Sequence, residues 1–226
     1  SKWSSNPNIP HEVGDSATFG VGSALRTVTL PANETVGAIT MNNANSFVVA
    51  PDAGAPGKVL TLDNGGSGAS IAVSAGAANS INTPVALNDN AAINVAAADS
   101  LSIAGNVSNT GGAKSISVGG AGTLALSGNN TYGPAAASGF GPTLAGGATL
   151  QVGNNNALGA GDVSVATSST LQAGAAGLTV PNNIDIASGA TATVDNNGNN
   201  LTLSGLISDN GSLAKIGNGV LTLNGN

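Results

Sequence analysis

The sequence predicts an all-β chain folded as a β-solenoid, a parallel β-helix of about ten coils, and three observations predict it. Short apolar or alternating runs recur along the whole chain between clusters of Gly, Asn, Ser and Asp. A Leu-x-aliphatic-x-Gly signature returns at intervals close to the length of one solenoid coil. Helix-building and bulky residues are scarce: aromatics make up 2% of the chain, and Glu, Lys, Arg, Gln and Met together number ten in 226 residues. A helix needs straight-chain residues for its solvent face, so this composition argues against a helix-rich fold. An apolar content of 41% against a net charge of −6 still suffices to bury a core.

The runs, in chain order, are 27–30, 36–40, 47–50, 59–62, 71–73, 85–87, 93–95, 101–103, 116–118, 124–126, 150–152, 163–165, 178–180, 184–186, 201–203 and 220–223. Each is short and bounded by residues that form sharp corners. The signature reads LSIAG at Leu101, LALSG at Leu124, LTLSG at Leu201 and LTLNG at Leu221, with looser LQVG at Leu150 and LQAG at Leu171. Successive Leu positions in chain order differ by 23, 26, 21, 30 and 20, and LTLDNG at Leu60 lies 41 before Leu101, close to two such steps. A period in the low twenties is one coil of two or three short strands, each in its own parallel sheet.

The narrow bore of such a coil explains the composition. Sheets facing each other across roughly 10 Å accommodate stacked Leu, Ile, Val, Ala, Thr and Ser but not repeated Phe or Trp. A two-sheet sandwich of this length would more usually carry a central aromatic cluster. Leu60, Leu62, Leu101, Ile103, Leu124, Leu126, Leu150, Val152, Leu201, Leu203, Leu221 and Leu223 are expected to face inward, because residues two apart share a strand face. Asn pairs at 129–130, 182–183, 196–197 and 199–200, with the triplet 154–156, are expected at corners, where Asn tolerates left-handed conformations and stacked amides form ladders.

The charge pattern narrows the function classes. Five scattered cations make no basic stripe for nucleic acid or an anionic membrane surface. Zero Cys and a single His leave no disulfide, no thiolate chemistry and no Cys- or His-rich metal site, so no cofactor or metal is expected. There is no apolar run long enough to span a membrane, and residues 1–20 hold Asn, Pro, His, Glu and Asp where a signal peptide needs an apolar stretch. The expectation is an exported chain whose signal has been removed, or a segment of a longer one.

At residues 114–153 the chain resembles a known family. GGAGTLALSGNNTY from Gly119 to Tyr132, followed by GGATLQVGNNNALGAG from Gly146, is similar to the autotransporter-associated β-strand repeat, also called the passenger-associated transport repeat. NGSLAKIGNGVLTLNGN from Asn210 resembles the first half of a second copy, and Trp3, Pro10 and GDSATF from Gly14 resemble the lead-in to such repeats. The resemblance implies a right-handed β-helix in an exported passenger region at the bacterial cell surface, serving as stalk, scaffold or adhesin. It divides the chain into a leader or cap over 1–20 and a β-helix over 21–226 with an insertion loop at 133–142. The chain departs from the family in that insertion and in the absence of a C-terminal barrel, which leaves the secretion route open.

No residue set points to catalysis. Parallel β-helices host lyases and glycosidases that need two convergent carboxylates, or acid plus base, yet the eleven acidic residues are spread along the chain, and only Glu12 and Asp15 are close in sequence. Asp185 and Asp195 can meet only across coils. Asp63-Asn64-Gly65-Gly66 and Asp195-Asn196-Asn197-Gly198 are isolated oxygen-rich turns without the calcium-binding nonapeptide. The chain is therefore read as a non-enzyme, with a carbohydrate-binding or carbohydrate-active β-helix as the alternative.

Four residues are candidate partner contacts: Tyr132 and Phe140 at the insertion, and Leu221 and Leu223 in the last strand. Trp3, His11 and Phe19 are expected to cap the first coil. The apolar strand at 220–223, lying in mid-repeat, is expected either to be continued by further coils or to dock on the start of another copy, giving head-to-tail filaments.

Overall fold

The computed structural model describes residues 10–20, 24–76, 78–133 and 141–225. These form twenty-five strands and no helix. All strand pairs are parallel, and they stack as nine coils of a β-solenoid with three faces. The first sheet runs Ser16–Phe19, Ala38–Asn42, Ala69–Ala75, Ala91–Val95, Ile116–Gly119, Thr143–Leu144, Val163–Val165, Ile184–Ile186 and Ile207–Ser208. The second runs Arg26–Leu30, Phe47–Pro51, Asn79–Ile81, Ser100–Ile103, Thr123–Leu126, Thr149–Val152, Ser169–Ala173, Thr191–Asp195 and Ser212–Ile216. The third face holds Glu34–Val36, Leu60–Leu62, Val85–Leu87 and Val107–Asn109, and then, after an interruption, Leu178–Val180, Leu201–Leu203 and Leu221–Leu223. At a parallel-strand spacing of about 4.8 Å, the first and last strands of a sheet lie about 38 Å apart.

Register aligns like with like. On the first sheet Ile39, Ile71, Ile93, Val118, Leu144, Val165 and Ile186 form one continuous inward column, and all are buried. On the second sheet Leu101, Leu124, Leu150 and Leu171 do the same. Each such side chain contributes about 1.5–3 kcal/mol by leaving water. Coils differ in length: the one from Leu201 to its partner Leu221 is short, and the one from Ile39 to its partner Ile71 is half as long again. The core keeps a constant cross-section while the corners absorb insertions.

The expected inward set is buried from Leu60 to Leu203. The signature does not mark one face of the coil, however. Leu101, Leu124, Leu150 and Leu171 lie on the second sheet, whereas Leu60, Leu201 and Leu221 lie on the third face. The longer step from Leu171 to Leu201 is therefore one coil, from Leu171 to its partner Val194, plus the passage from the second sheet to the third face. Any core strand wants the same alternation, so the motif reports inward pointing rather than phase.

Two further expectations fail. The run 36–40 is not one strand: the chain turns at Gly37, whose N–H donates to Asp15 O at 2.7 Å, and a Cβ there would lie 2.6 Å from Asn64 Oδ1. The solenoid also starts inside the segment read as leader, since Ser16–Phe19 pairs with Ala38–Met41. Of the described Asn corners, only Asn197 has a positive φ, at 48°. The left-handed positions fall mostly to Gly, as at Gly120 (φ 79°), where a Cβ would sit 2.1 Å from Val95 O.

At coils five and six the third face has no strand, and two side chains replace it. Asn130 Oδ1 accepts from Val107 N at 2.7 Å, and its Nδ2 donates to Ala157 O at 2.6 Å, so one amide joins three coils. Tyr132 turns into the core beside it and is 0% exposed.

Candidate functional site at the open coil edge

The ninth coil, made of Ile207–Ser208, Ser212–Ile216 and Leu221–Leu223, presents unpaired strand edges and apolar side chains together. Leu221 and Leu223 pair in register with Leu201 and Leu203. The lower pair is 1% exposed, while Leu223 is 51% exposed and Leu221 half-buried. The difference is the coil that lies over the lower pair. Leu206, Leu213, Ile216 and Val220 are exposed at the same end. Among the described residues only Val13 and Leu25 are comparably exposed large apolar groups elsewhere. The opposite end is unlike this one: in the first coil Val28, Leu30 and Val36 are all buried.

The sequence places Leu221 and Leu223 in the last strand, as the structure does, but gives no strand over Ser212–Ile216. Its register places Leu213 beside Ala192 and Lys215 beside Val194, both inward positions, and Leu213 borders the bore with Ala192 and Val194. The signal was present in S-L-A-K-I, where Leu and Lys alternate with outward residues. A lysine in an inward place hides the pattern.

The other two candidates fall differently. Tyr132 offers no surface to a partner: its ring is fully buried and its hydroxyl has no hydrogen-bond partner, so burial pushes its pKa well above the usual phenol range. It is a core residue, because the third face there lacks a strand and the ring fills the space. Phe140 and most of the insertion, residues 134–140, lie outside the described residues, as does Trp3. Phe19 contacts Phe47, ring centroids 5.3 Å apart. His11 is exposed beside Glu12, at 3.9 Å.

The carboxylates are engaged locally. Asp63 accepts from Gly65 N at 2.9 Å and Asn88 Nδ2 at 2.6 Å, and Asp89 from Asn64 N at 2.6 Å and Gly66 N at 3.1 Å. Asp185 accepts from Ser208 Oγ on the first sheet, whereas Asp195 accepts from Gln172 Nε2 at 2.8 Å on the second, so the two do not meet. Among the described residues no three His, Cys, Asp or Glu side chains come together as a metal site. Glu34 is buried in the first coil, where desolvation raises its pKa and the charge of His11 offsets this in part.

The flanks carry aligned threonines and short amide ladders. Thr123, Thr149, Thr170 and Thr193 align on the outer face of the second sheet. Beside them Gln151 donates to Gln172 at 2.7 Å, and Gln172 to Asp195. At a corner Asn156 Nδ2 donates to Asn129 Oδ1 at 2.8 Å, and Asn129 N to Asn106 Oδ1 at 2.9 Å. Two shallow grooves of about 530 and 600 Å³ adjoin this corner and share Asn129 and Asn156.

No family model, no curated protein and no solved structure matches this chain.

Proposed function

We propose that this chain is a non-catalytic extracellular β-helix segment of a bacterial surface or autotransporter-like protein, acting as a stalk or adhesin scaffold. The observation that carries the reading is the unbroken stacking of the coils around one core. Nine coils stack around one apolar bore, and the outer faces carry threonines aligned in register and amides bonded to one another. Such a body sets a distance and presents corners. The resemblance of residues 119–161 to the passenger-associated repeat supports the cell surface as its place. Partners on this reading are further coils of a longer chain, surface glycans or proteins.

The test is accessibility on intact cells of the source bacterium. Protease or antibody should reach the chain without lysis, and removal of the whole coil at 184–206 should shorten the rod by about 4.8 Å while keeping the fold. A chain protected until the cells are broken would sink the reading.

One observation favours the alternative of carbohydrate binding. The grooves at Asn129, Asn154, Asn155, Asn156 and Asn182 offer amide donors and acceptors of the kind that pair with sugar hydroxyls. Binding on a glycan array that is lost in Asn129→Ala/Asn156→Ala would move the conclusion to that reading.

A further inference from the structure

The third face breaks off inside the rod, and asparagine side chains close both broken edges. On the side of coil four Val107 N donates to Asn130 Oδ1 at 2.7 Å, and on the side of coil seven Thr179 N donates to Asn155 Oδ1 at 2.9 Å. Residues 157–160, which cross this face in coil six, form no strand. The first sheet is thin in the same coil: Thr143–Leu144 is two residues long and meets each neighbour through a two-residue register. Only the second sheet passes through at full width, with Thr149–Val152 paired over four residues on each side. Coils four and eight, by contrast, have strands on all three faces.

Unpaired polar atoms gather at the same place. Among the described residues three buried side-chain polar atoms lack a hydrogen-bond partner: Tyr132 Oη, Asn182 Oδ1 and Asn196 Oδ1. The first two belong to side chains that both meet Gly159 of coil six. The Tyr132 ring lies against that glycine, and Asn182 Nδ2 donates to its carbonyl at 3.0 Å. Each orphaned atom gives up its bonds to water on folding and regains none. Stacking on coil six therefore gains fewer backbone hydrogen bonds than stacking on coil four or eight, and it carries two of these three desolvation costs.

A solenoid coil is stabilised by its own packing and by its two neighbours alone, so one weak interface divides the stack. We propose that coil six is an internal joint separating the rod into two cooperative blocks, coils one to five and coils seven to nine, so that loss of structure in one block stops there. On the reading of the chain as a stalk, a load that opens one block leaves the other standing. The joint lies inside the stack, and coils added at either end leave it unchanged.

The test is hydrogen exchange of the whole chain, followed strand by strand, in Ile71→Ala and Ile184→Ala. Ile71 lies in the core of coil three and Ile184 in that of coil eight, and both are buried. Ile71→Ala should speed exchange at least about tenfold in Ala91–Val95 and Ser100–Ile103, and leave Thr191–Asp195 and Leu201–Leu203 at the wild-type rate. Ile184→Ala should do the reverse. In both variants the change should stop at the same place, between Thr123–Leu126 and Ser169–Ala173. Ile71→Val and Ile184→Val give the same readout with a smaller change where an alanine variant does not fold. A change that spreads through the whole rod in either variant would overturn the proposal, and so would boundaries that shift with the site of substitution. Exchange tests the joint wherever the chain is displayed, and accessibility on intact cells tests the display alone.

Discussion

The backbone of Gly159 lies directly against Tyr132: a Cβ on Gly159 would be 2.5 Å from Tyr132 O and 3.1 Å from its Cδ1 and Cε1. Gly159 also holds φ at 71°. The glycine therefore gives the ring room to enter the core where the third face has no strand. Gly159→Ala should destabilise the chain by about 2 kcal/mol or more, through the positive φ and the overlap together. Chemical denaturation would measure it, and an unchanged midpoint would mean that the ring lies elsewhere.

Tyr132 is the only tyrosine in the chain, so its ionisation can be followed by ultraviolet absorbance without interference from another phenol. Burial holds the hydroxyl neutral far into alkali. The tyrosinate band should appear only together with loss of the β circular dichroism signal. Tyr132→Phe removes a buried oxygen without a partner and should stabilise by about 1–2 kcal/mol.

Asn130 replaces missing strand hydrogen bonds. Asn130→Ala would leave Val107 N–H and Ala157 C=O unpaired in a buried setting and should cost about 2–3 kcal/mol. Hydrogen exchange at Val107 should speed up relative to Leu101, which is paired by its own sheet on both sides.

Leu126 lies within the second-sheet column between Ile103 and Val152 and is 0% exposed. Leu126→Asp should cost more than about 3 kcal/mol or prevent folding, because a charge would enter the bore without a partner. Thermal stability equal to wild type would show the register to be wrong by one position.

Glu34 sets a pH dependence of definite sign. Its folded pKa is raised above the unfolded value, so the folded state holds this proton more tightly. Its contribution to stability is complete below the ordinary glutamate pKa and declines as pH rises through the raised one. Glu34→Gln should flatten that part of the stability profile, and a profile identical to wild type would refute the assignment.

How much of this was legible in the sequence can be judged from particular strands. Leu101–Ile103, Leu124–Leu126 and Leu150–Val152 were readable as inward pairs at coil spacing, because apolar-x-apolar between corner residues has one cheap solution in a narrow bore. Tyr132 was misjudged as a surface contact. Its burial depends on a strand missing from the third face and on Gly159, one coil further along the chain, a relationship with no local signature.

The order of apolar alternation and corner residues determined by itself that this chain is a stack of short parallel strands around an aliphatic core. It did so because alternation decides which side of a strand avoids water. Which of the three faces each strand joins was decided only in the tertiary structure, because all three faces want the same alternation and only hydrogen-bond register distinguishes them.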